Sequence, residues 1–308
     1  MKWNGVMPAL TTAFDATLQI DHQFVACHAL WQMENGVTGI IALGSLGEAA
    51  TLSFDEKISL IDTLVRACAN KVPIVAAISS LSTDESVKLA QAVQAHGASG
   101  LMILPPYVYL GDWREMKAHI GAVLKATALE AMLYNNPVAY GTDFTPEQIQ
   151  ELAAEHPNLV AVKESSTDVR RVTAIRALVG NRLAIFVGVD DAIVEGIHAG
   201  AVGWVAGLVN AFPRESVELF RLASEGKSAE AFELYRWFLP LLRMDTVPKF
   251  IQLIKQVQQE LGVGSARVRG PRLEITGGEL AATQAEVRTA IANRRPNPAI
   301  ASTPFPLK

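Results

Sequence analysis

A single lysine, Lys163, closes the apolar segment Leu159–Val162 and is followed directly by Glu164. A short apolar run bounded by polar residues predicts a strand that is buried on both faces. Burial disfavours the ammonium form, so we expect the pKa of this lysine to fall below its usual value of about 10.4. The free amine is then a Schiff-base nucleophile. The alternative is a side chain that extends to solvent and pairs with Glu164.

Polar residues follow two other apolar segments. Gly44 and Gly47 flank Ser45 and Leu46, so the backbone amides and the Ser45 hydroxyl of this loop are suited to hold a carboxylate; a plain tight turn is the alternative. Tyr134 ends another apolar run and offers a phenol for proton transfer, or ordinary half-buried packing. An amine, a phenol and a carboxylate loop at strand ends together describe a site that attacks a 2-oxo acid.

Apolar segments alternate with amphipathic ones through the first two-thirds of the chain, which predicts an α/β fold, a (β/α)₈ TIM barrel. Its chemistry would lie at the carboxyl ends of the strands. The rival is a doubly wound open sheet, which usually has a glycine-rich phosphate turn after its first strand, and this chain has none there. The predicted strands are Val6–Thr11, Gly39–Leu43, Pro73–Ala77, Gly100–Leu104, Ala131–Asn135, Leu159–Lys163, Ala184–Val187 and Gly203–Ala206.

Helix signals divide the chain further. Ser53, Thr145 and Thr167-Asp168 read as N-caps of barrel helices. After the eighth strand the pattern is purely helical, and Thr283 is a predicted N-cap of a last helix reaching Asn293. We therefore predict a catalytic barrel over residues 1–225, a C-terminal helical subdomain over 226–293, and a proline-rich disordered tail over 294–308.

Composition narrows the function classes. The 308 residues are 50% hydrophobic and 19% charged, enough for a large core, and the net charge of −4 gives no electrostatic footprint for nucleic acid. No apolar run is long enough for a membrane helix, so we expect neither nucleic-acid nor membrane partners. Cys27 and Cys68 fall in helical patterns without disulfide spacing, which favours a cytoplasmic location. None of the six histidines has metal-ligand spacing, so we expect no metal site.

Four motifs in this order resemble the dihydrodipicolinate synthase / N-acetylneuraminate lyase family of class I Schiff-base aldolases over residues 5 to about 290. They are Gly44–Glu48, Tyr134–Pro137, Val162–Ser166 and Gly188–Asp191. The resemblance implies that Lys163 forms the Schiff base, that Tyr134 shuttles protons with Ser45, and that the Ser45–Leu46 loop binds the substrate carboxylate. It further implies substrate contacts from Gly47, Gly188, Val205, Tyr107 and Ala139, no cofactor, and a homotetramer built as a dimer of dimers.

The departures from the family pattern bear on the substrate. The synthases carry two threonines where this chain has Ser45 and Leu46, and an arginine where it has Ala139. Their relay uses a tyrosine of the neighbouring subunit at the position of Val108, flanked here by Tyr107 and Tyr109 as possible replacements. Loss of an arginine anchor for a carboxylate is not a neutral change.

The sequence around these motifs looks closest to the 1-pyrroline-4-hydroxy-2-carboxylate deaminases. We therefore expect deamination, with dehydration, of that small 2-imino acid to 2,5-dioxopentanoate. A dihydrodipicolinate synthase or another pyruvate-dependent aldolase or dehydratase is the alternative, and a non-catalytic 2-oxo acid binding protein is a minor one.

Overall fold

The structure is a computed structural model that describes residues 1–294 and 304–306. Within residues 1–294, eight parallel strands form one sheet in the order β1-β8-β7-β6-β5-β4-β3-β2. The strands are β1 (Gly5–Pro8), β2 (Ile40–Ala42), β3 (Ile74–Ile78), β4 (Gly100–Ile103), β5 (Ala131–Asn135), β6 (Leu159–Glu164), β7 (Ala184–Val187) and β8 (Gly203–Ala206). The predicted (β/α)₈ barrel is confirmed.

The barrel closes between its first two strands. The backbone N–H of Thr38 donates to the carbonyl of Val6 at 2.9 Å, and that of Leu10 donates to the carbonyl of Ile41 at 2.8 Å. A parallel bridge joins Ala9 to Ile41 beside the second bond. Closure gives partners to backbone groups that an open sheet leaves at its edges, so the doubly wound alternative does not describe this chain.

The helices of the described region pack outside the strands and continue after them. They are α1 (His22–Glu34), α2 (Phe54–Cys68), α3 (Thr83–Ala95), α4 (Trp113–Lys125), α5 (Pro137–Tyr140), α6 (Pro146–Glu155), α7 (Arg170–Val179), α8 (Ile193–His198), α9 (Pro213–Ser224), α10 (Ser228–Leu242), α11 (Phe250–Glu260) and α12 (Gly277–Ala292). None of them has the length and apolar content required to cross a bilayer.

Of the three N-caps predicted for barrel helices, two are confirmed and one is wrong. Ser53 and Thr145 each accept a hydrogen bond from the backbone N–H three residues on, in complete capping boxes. Thr167 has a φ of +69° and lies in the loop before α7. The carboxylate of Asp168 accepts from the N–H of Arg170, where the helix begins. A side-chain turn in the loop therefore replaces the cap that the sequence predicted.

The C-terminal helices α9 to α12 cover one side of the barrel. Thr283 is not the N-cap of the last helix, because α12 begins six residues earlier at Gly277. The hydroxyl of Thr283 donates to the carbonyl of Glu279 within the helix at 2.9 Å. The first turn of this longer helix is held by Lys249 at the start of α11, which donates to the carboxylate of Glu279 at 2.5 Å. The last turn is held by the indole of Trp237 on α10, which donates to the carbonyl of Ala290 at 2.9 Å. Tertiary packing here outweighs the poor helix propensity of Gly277 and Gly278.

Most of the predicted disordered tail lies outside the described residues, and its disorder stays a prediction, as do the domain boundaries at residues 225 and 293. Of the described part, the ring of Phe305 lies 5.2 Å from that of Phe24 and 5.4 Å from that of Trp31 on α1. These centroid distances are those of packed aromatic pairs. The segment around Phe305 therefore rests on α1.

Candidate active site

Strands β5 and β6 bring Tyr134 and Lys163 together. The two residues are register partners in the parallel ladder, and each is only 6% exposed. The Nζ atom of Lys163 lies 4.1 Å from the centroid of the Tyr134 ring. Lys163 points into the barrel and makes no salt bridge with Glu164, which instead lies 3.6 Å from Arg171. The alternative of a lysine that pairs with Glu164 at the surface is therefore excluded.

Gly188 forms one wall beside this lysine. The residue follows β7, and its N–H donates to the carbonyl of Glu164 at 2.9 Å. A Cβ atom built on Gly188 would lie 2.5 Å from Cε of Lys163 and 1.9 Å from Oγ of Ser165. Only glycine leaves room for the lysine side chain in its present position.

The hydroxyl of Ser45 is hydrogen-bonded to the hydroxyl of Tyr140, not to that of Tyr134. The Tyr140 and Tyr134 rings meet edge to face, with centroids 5.7 Å apart. The hydroxyl of Tyr134 accepts from the amide of Asn136 at 2.9 Å. Ser45, Tyr140 and Tyr134 thus form one hydroxyl cluster close to Lys163.

Burial raises the pKa of Tyr140 well above its ordinary value, and the neighbouring Tyr134 and Tyr107 raise it further, while the bond from Ser45 opposes the shift. The phenol of Tyr140 is therefore neutral at physiological pH. A neutral phenol both donates and accepts a hydrogen bond.

The loop Gly44–Glu48 is held from two sides. The hydroxyl of Thr12 donates to the carbonyl of Gly47 at 2.7 Å. Glu48, which is fully buried and has a φ of +56°, accepts from Nζ of Lys255 at 2.6 Å and from the N–H of Arg269 at 3.0 Å. Burial lowers the pKa of Lys255, and the charge of Glu48 opposes that shift. The C-terminal part of the chain thus fixes the predicted carboxylate loop.

The tyrosines around Val108 take different positions. The ring of Tyr107 packs on that of Tyr140, with centroids 5.8 Å apart. Tyr109 is 52% exposed, and its hydroxyl donates to Glu115 at 2.9 Å, which raises its pKa. Val108 has a φ of +70° and is 94% exposed. Within this chain, the tyrosine hydroxyl that is hydrogen-bonded to Ser45 is that of Tyr140. Replacement of the inter-subunit tyrosine by Tyr107 or Tyr109 stays a prediction.

Three of the other predicted substrate contacts lie at different depths. Leu46 is buried in the loop, and Val205 is buried on β8 opposite Met7 of β1. Ala139 is exposed on α5, and its N–H donates to the side chain of Asn136 at 3.0 Å. The structure therefore places Ala139 on the exposed side of α5, next to Tyr140 in the chain, and Val205 in the barrel wall.

Two acidic side chains interact with Lys163 from the side of β8. Asp190 accepts from the indole of Trp204 at 2.9 Å and from the N–H of Leu208 at 2.8 Å. Burial raises the pKa of Asp190 to about 6, although these hydrogen bonds lower it. Burial and the charge of Asp190 raise the pKa of Asp245 well above the ordinary range. The charge of Lys163 acts in the opposite direction on the pKa of Asp190 and on that of Asp245. The carboxyl of Asp245 touches Gly207, where a Cβ atom would lie 2.0 Å from Oδ1.

Residues 1–294 and 304–306 contain no group of three His, Cys, Asp or Glu side chains arranged to hold a metal ion. His28 is an example of a histidine with a packing role. It is fully buried, and its Nε2 lies 2.9 Å from the carbonyl of Asn210.

Tyr140, Asn136 and Asp245 were not predicted from the sequence as site residues. A local sequence signal exists for Tyr140 and Asn136. Asn136-Pro137 is a helix start and Gly141 a helix stop, and together they define the single helical turn that carries Tyr140. Asp245 carries no such signal, since only the packing of the C-terminal helices on the barrel brings it to β8.

Comparison with known proteins gives close relatives in sequence and structure. The chain matches the Dihydrodipicolinate synthetase family over residues 2–290. It is 31% identical over 272 residues to 4-hydroxy-tetrahydrodipicolinate synthase of Rhizobium meliloti (strain 1021), which covers 88% of this chain and 92% of that enzyme. The enzyme of the same name from Agrobacterium fabrum (strain C58 / ATCC 33970) is 30% identical over 270 residues, 87% of this chain and 92% of that one.

Among solved structures, 4-hydroxy-tetrahydrodipicolinate synthase from Methylacidiphilum fumariolicum SolV superposes with a TM-score of 0.89 at 28% identity, covering 94% of this chain and 98% of that one. A putative dihydrodipicolinate synthetase from Pseudomonas aeruginosa also has a TM-score of 0.89 and 28% identity, and covers 94% of this chain and all of the other. The match thus extends over nearly the whole barrel and the C-terminal helices.

Proposed function

This chain belongs to the dihydrodipicolinate synthetase family of lyases, as its motifs indicated, and we propose that its catalytic nucleophile is the amine of Lys163. The observation that carries the proposal is the position of that amine, buried at the end of β6 and 4.1 Å from the ring of Tyr134. Members of the family act on small molecules, and an amine in such a site forms an iminium with a 2-oxo or 2-imino acid.

The chemistry needs no organic cofactor or metal, because the lysine iminium itself accepts the electrons of the broken bond. Formation of the iminium makes the protons on the adjacent carbon acidic, and their loss gives an enamine. The hydroxyl of Tyr134, held by Asn136 at 2.9 Å, belongs to the ring that lies 4.1 Å from the amine, and a phenol is suited to move those protons. The Gly44–Glu48 loop supplies backbone N–H groups for the substrate carboxylate.

We propose 1-pyrroline-4-hydroxy-2-carboxylate as the substrate and 2,5-dioxopentanoate and ammonia as the products. The amine of Lys163 attacks C2, and the bond from C2 to the ring nitrogen breaks once that nitrogen has taken a proton. A proton leaves C3 to give the enamine, and the C4 hydroxyl departs as water. A proton shift from C5 then forms an imine there. Hydrolysis at C5 releases ammonia, and hydrolysis at C2 frees Lys163, so one water is lost and two are consumed.

The groups around Lys163 support a substrate with one carboxylate and a basic nitrogen. Ala139 stands where the synthases have an arginine, and Leu46 offers the loop only its backbone N–H. In the described part of the chain, the ionisable side chains beside Lys163 include the acids Asp190 and Asp245, and neither offers a positive charge to a second carboxylate. A second substrate carboxylate left unpaired in this site would cost at least about 2 kcal/mol, roughly 30-fold in selectivity.

The second candidate is condensation of pyruvate with aspartate semialdehyde. The observation in its favour is the name of the relatives, since the proteins that are 30–31% identical to this chain are called 4-hydroxy-tetrahydrodipicolinate synthases. The two candidates share the Schiff base and differ in the second half of the reaction. They are therefore separated by substrate, not by the nucleophile.

A substrate panel tests the proposal. The purified enzyme is supplied with the hydroxypyrroline acid, with pyruvate plus aspartate semialdehyde, and with sialic or deoxy-keto sugar acids. We expect ammonia release from the first and little turnover of the others. A larger kcat/KM for the condensation would establish the synthase function instead. Borohydride reduction with pyruvate is run in parallel, because a protein that only binds 2-oxo acids would show no covalent adduct by mass.

We further propose that the enzyme is a cytoplasmic homotetramer without membrane or nucleic-acid partners. The support is the family resemblance together with the net charge of −4. Light scattering on the purified protein gives the oligomeric state directly. A monomer in the active fraction would contradict the proposed assembly.

A further inference from the structure

We propose that Tyr140 is a catalytic proton carrier, placed between Ser45 and Tyr134, in the step that converts the iminium to the enamine. The inference rests on the Schiff-base function proposed above, but not on which substrate the enzyme uses. Its basis is the hydroxyl cluster itself. The hydroxyl of Ser45 is hydrogen-bonded to that of Tyr140, and the ring centroids of Tyr140 and Tyr134 lie 5.7 Å apart.

The local structure fixes Tyr140 in this position. It is the last residue of the single-turn helix α5, which begins after Asn136. The side chain of Asn136 accepts from the N–H of Ala139 at 3.0 Å and donates to the hydroxyl of Tyr134 at 2.9 Å. One amide therefore holds both the turn that carries Tyr140 and the oxygen of Tyr134. Such a shared support keeps the two phenols in a constant relative position.

The turn is also closed at its other end. Gly141 follows Tyr140 with a φ of +72°, a conformation that favours glycine. A Cβ atom on Gly141 would lie 2.9 Å from Cδ2 of Leu110. The ring of Tyr107 packs on that of Tyr140, with centroids 5.8 Å apart. The closed turn and this ring contact hold Tyr140, whose hydroxyl is hydrogen-bonded to Ser45.

The hydrogen-bond directions suit a proton chain. The oxygen of Tyr134 accepts from Asn136, so its own O–H hydrogen is available to another acceptor. Tyr140 is neutral because burial raises its pKa, and a neutral phenol can take one proton while giving up another. Ser45 completes the chain in the same way. No oxygen in the chain has to hold a charge.

The proton balance of the step is as follows. The electron pair of the substrate C–H bond forms the new C=C bond, and the iminium nitrogen becomes a neutral amine. The proton passes to the oxygen of Tyr134, the proton of Tyr134 passes to Tyr140, and that of Tyr140 passes to Ser45. Ser45 delivers its proton to the departing hydroxyl group, which leaves as water, or to solvent water when the substrate is pyruvate.

Neither neighbouring tyrosine fits this role equally well. The hydroxyl of Tyr109 is bonded to Glu115 and the side chain is half exposed. Tyr107 contacts Tyr140 through its ring. Tyr140 is the tyrosine whose hydroxyl reaches Ser45.

The test measures exchange of the methyl protons of pyruvate for deuterium in D₂O by NMR, a reaction that needs only the iminium and the proton carriers. Tyr140→Phe keeps the ring and removes the hydroxyl. Tyr235→Phe on α10, whose hydroxyl donates to the carbonyl of Asp191, is the matched control. We expect Tyr140→Phe to form the borohydride-trapped adduct as the parent does, while exchange falls by about 10²-fold or more. Tyr235→Phe should exchange at the parent rate. Tyr140→Phe exchange within about threefold of the parent would overturn the proposal.

A double-mutant cycle with Ser45→Ala separates a proton chain from simple packing. If Ser45 and Tyr140 belong to one proton chain, removing either hydroxyl already breaks that chain. The double variant should therefore exchange no more slowly than the slower single variant. Additive losses would show that Tyr140 and Ser45 act independently and would overturn the proposal. If the exchange results hold while the hydroxypyrroline acid is not a substrate, only the substrate assignment fails. Absence of any pyruvate adduct in the parent enzyme would instead refute the Schiff-base function.

Discussion

Replacing Gly188 with alanine changes one atom beside the reactive lysine. Gly188 has no positive φ that would exclude an L-residue, so the effect comes from contacts alone. The new Cβ atom would lie 2.5 Å from Cε and 2.7 Å from Cγ of Lys163. It would also lie 1.9 Å from Oγ of Ser165, a hydroxyl without a hydrogen-bond partner among the described residues, which can rotate away at little cost. The lysine has to move.

The required displacement gives the magnitude. Carbon atoms pack at about 3.5 Å or more, so Cε of Lys163 must shift by about 1 Å. A reacting group misplaced by about 1 Å costs about 10²-fold in rate, which corresponds to about 2.7 kcal/mol of transition-state free energy. We therefore expect Gly188→Ala to form the Schiff base about a hundredfold more slowly. Substrate binding by the Gly44–Glu48 loop on the other side of the barrel should be little affected.

The assay is the single-turnover rate of the pyruvate adduct, quenched with borohydride and read by mass, with a thermal melt to verify folding. Gly278→Ala is the matched control, because a Cβ atom there meets nothing within 4 Å. Alanine at that position in α12 should leave the rate unchanged and add stability, by at most about 1 kcal/mol. A folded Gly188→Ala enzyme that reacts within about threefold of the parent would refute the reasoning that Gly188 positions the lysine.

Three further outcomes are expected. Lys163→Ala should lose the borohydride-trapped adduct and at least about 10³-fold in kcat, whereas an adduct that persisted would assign the nucleophile to another lysine. Tyr134→Phe should keep substrate binding and lose about 10²–10⁴-fold in kcat, and near-normal turnover would leave Tyr134 a packing role only. Burial lowers the pKa of His28 to about 4, while the unfolded chain protonates its histidines near pH 6.5. The unfolded state therefore binds more protons between these values, and the free energy of unfolding should fall by about 2 kcal/mol from pH 7 to pH 5. In urea denaturation, the free energy of unfolding of His28→Gln should fall less between pH 7 and pH 5 than that of the parent. An equal fall in both proteins would contradict the buried neutral state of His28.

The strands were predictable because each is an apolar run with a sharp polar or glycine boundary. The predicted bounds of β5, β7 and β8 coincide with those observed. Helices with strong caps, such as α2 after Ser53, were also predictable to within a residue. α12 was not, because Gly277 and Gly278 disfavour a helix locally, and the contact that holds its first turn, from Lys249 to Glu279, comes from a distant part of the chain.

The site residues that lie at strand ends were predictable from the sequence. Contacts between site residues that are distant in sequence were not. Tyr134 and Lys163 are adjacent because consecutive parallel strands pair, which alternating strand and helix signals already indicate. Ser45 and Tyr140 are 95 residues apart, and no local pattern predicts that their hydroxyls meet. The single helical turn α5 carries Tyr140, and its position in the folded chain brings the Tyr140 hydroxyl to Ser45.

The buried pair of Glu48 and Lys255 has a consequence for how the enzyme is made. Its two members are 207 residues apart, so while the chain is being synthesised Glu48 leaves the ribosome long before its partner does. A buried carboxylate without its cation is destabilised by about 3–5 kcal/mol, so the Gly44–Glu48 loop cannot settle into its final shape on a partial chain. The nascent barrel carries its nucleophile early but acquires a finished anion loop only when α11 is complete. Activity in the cell is thereby reserved for molecules synthesised beyond α11.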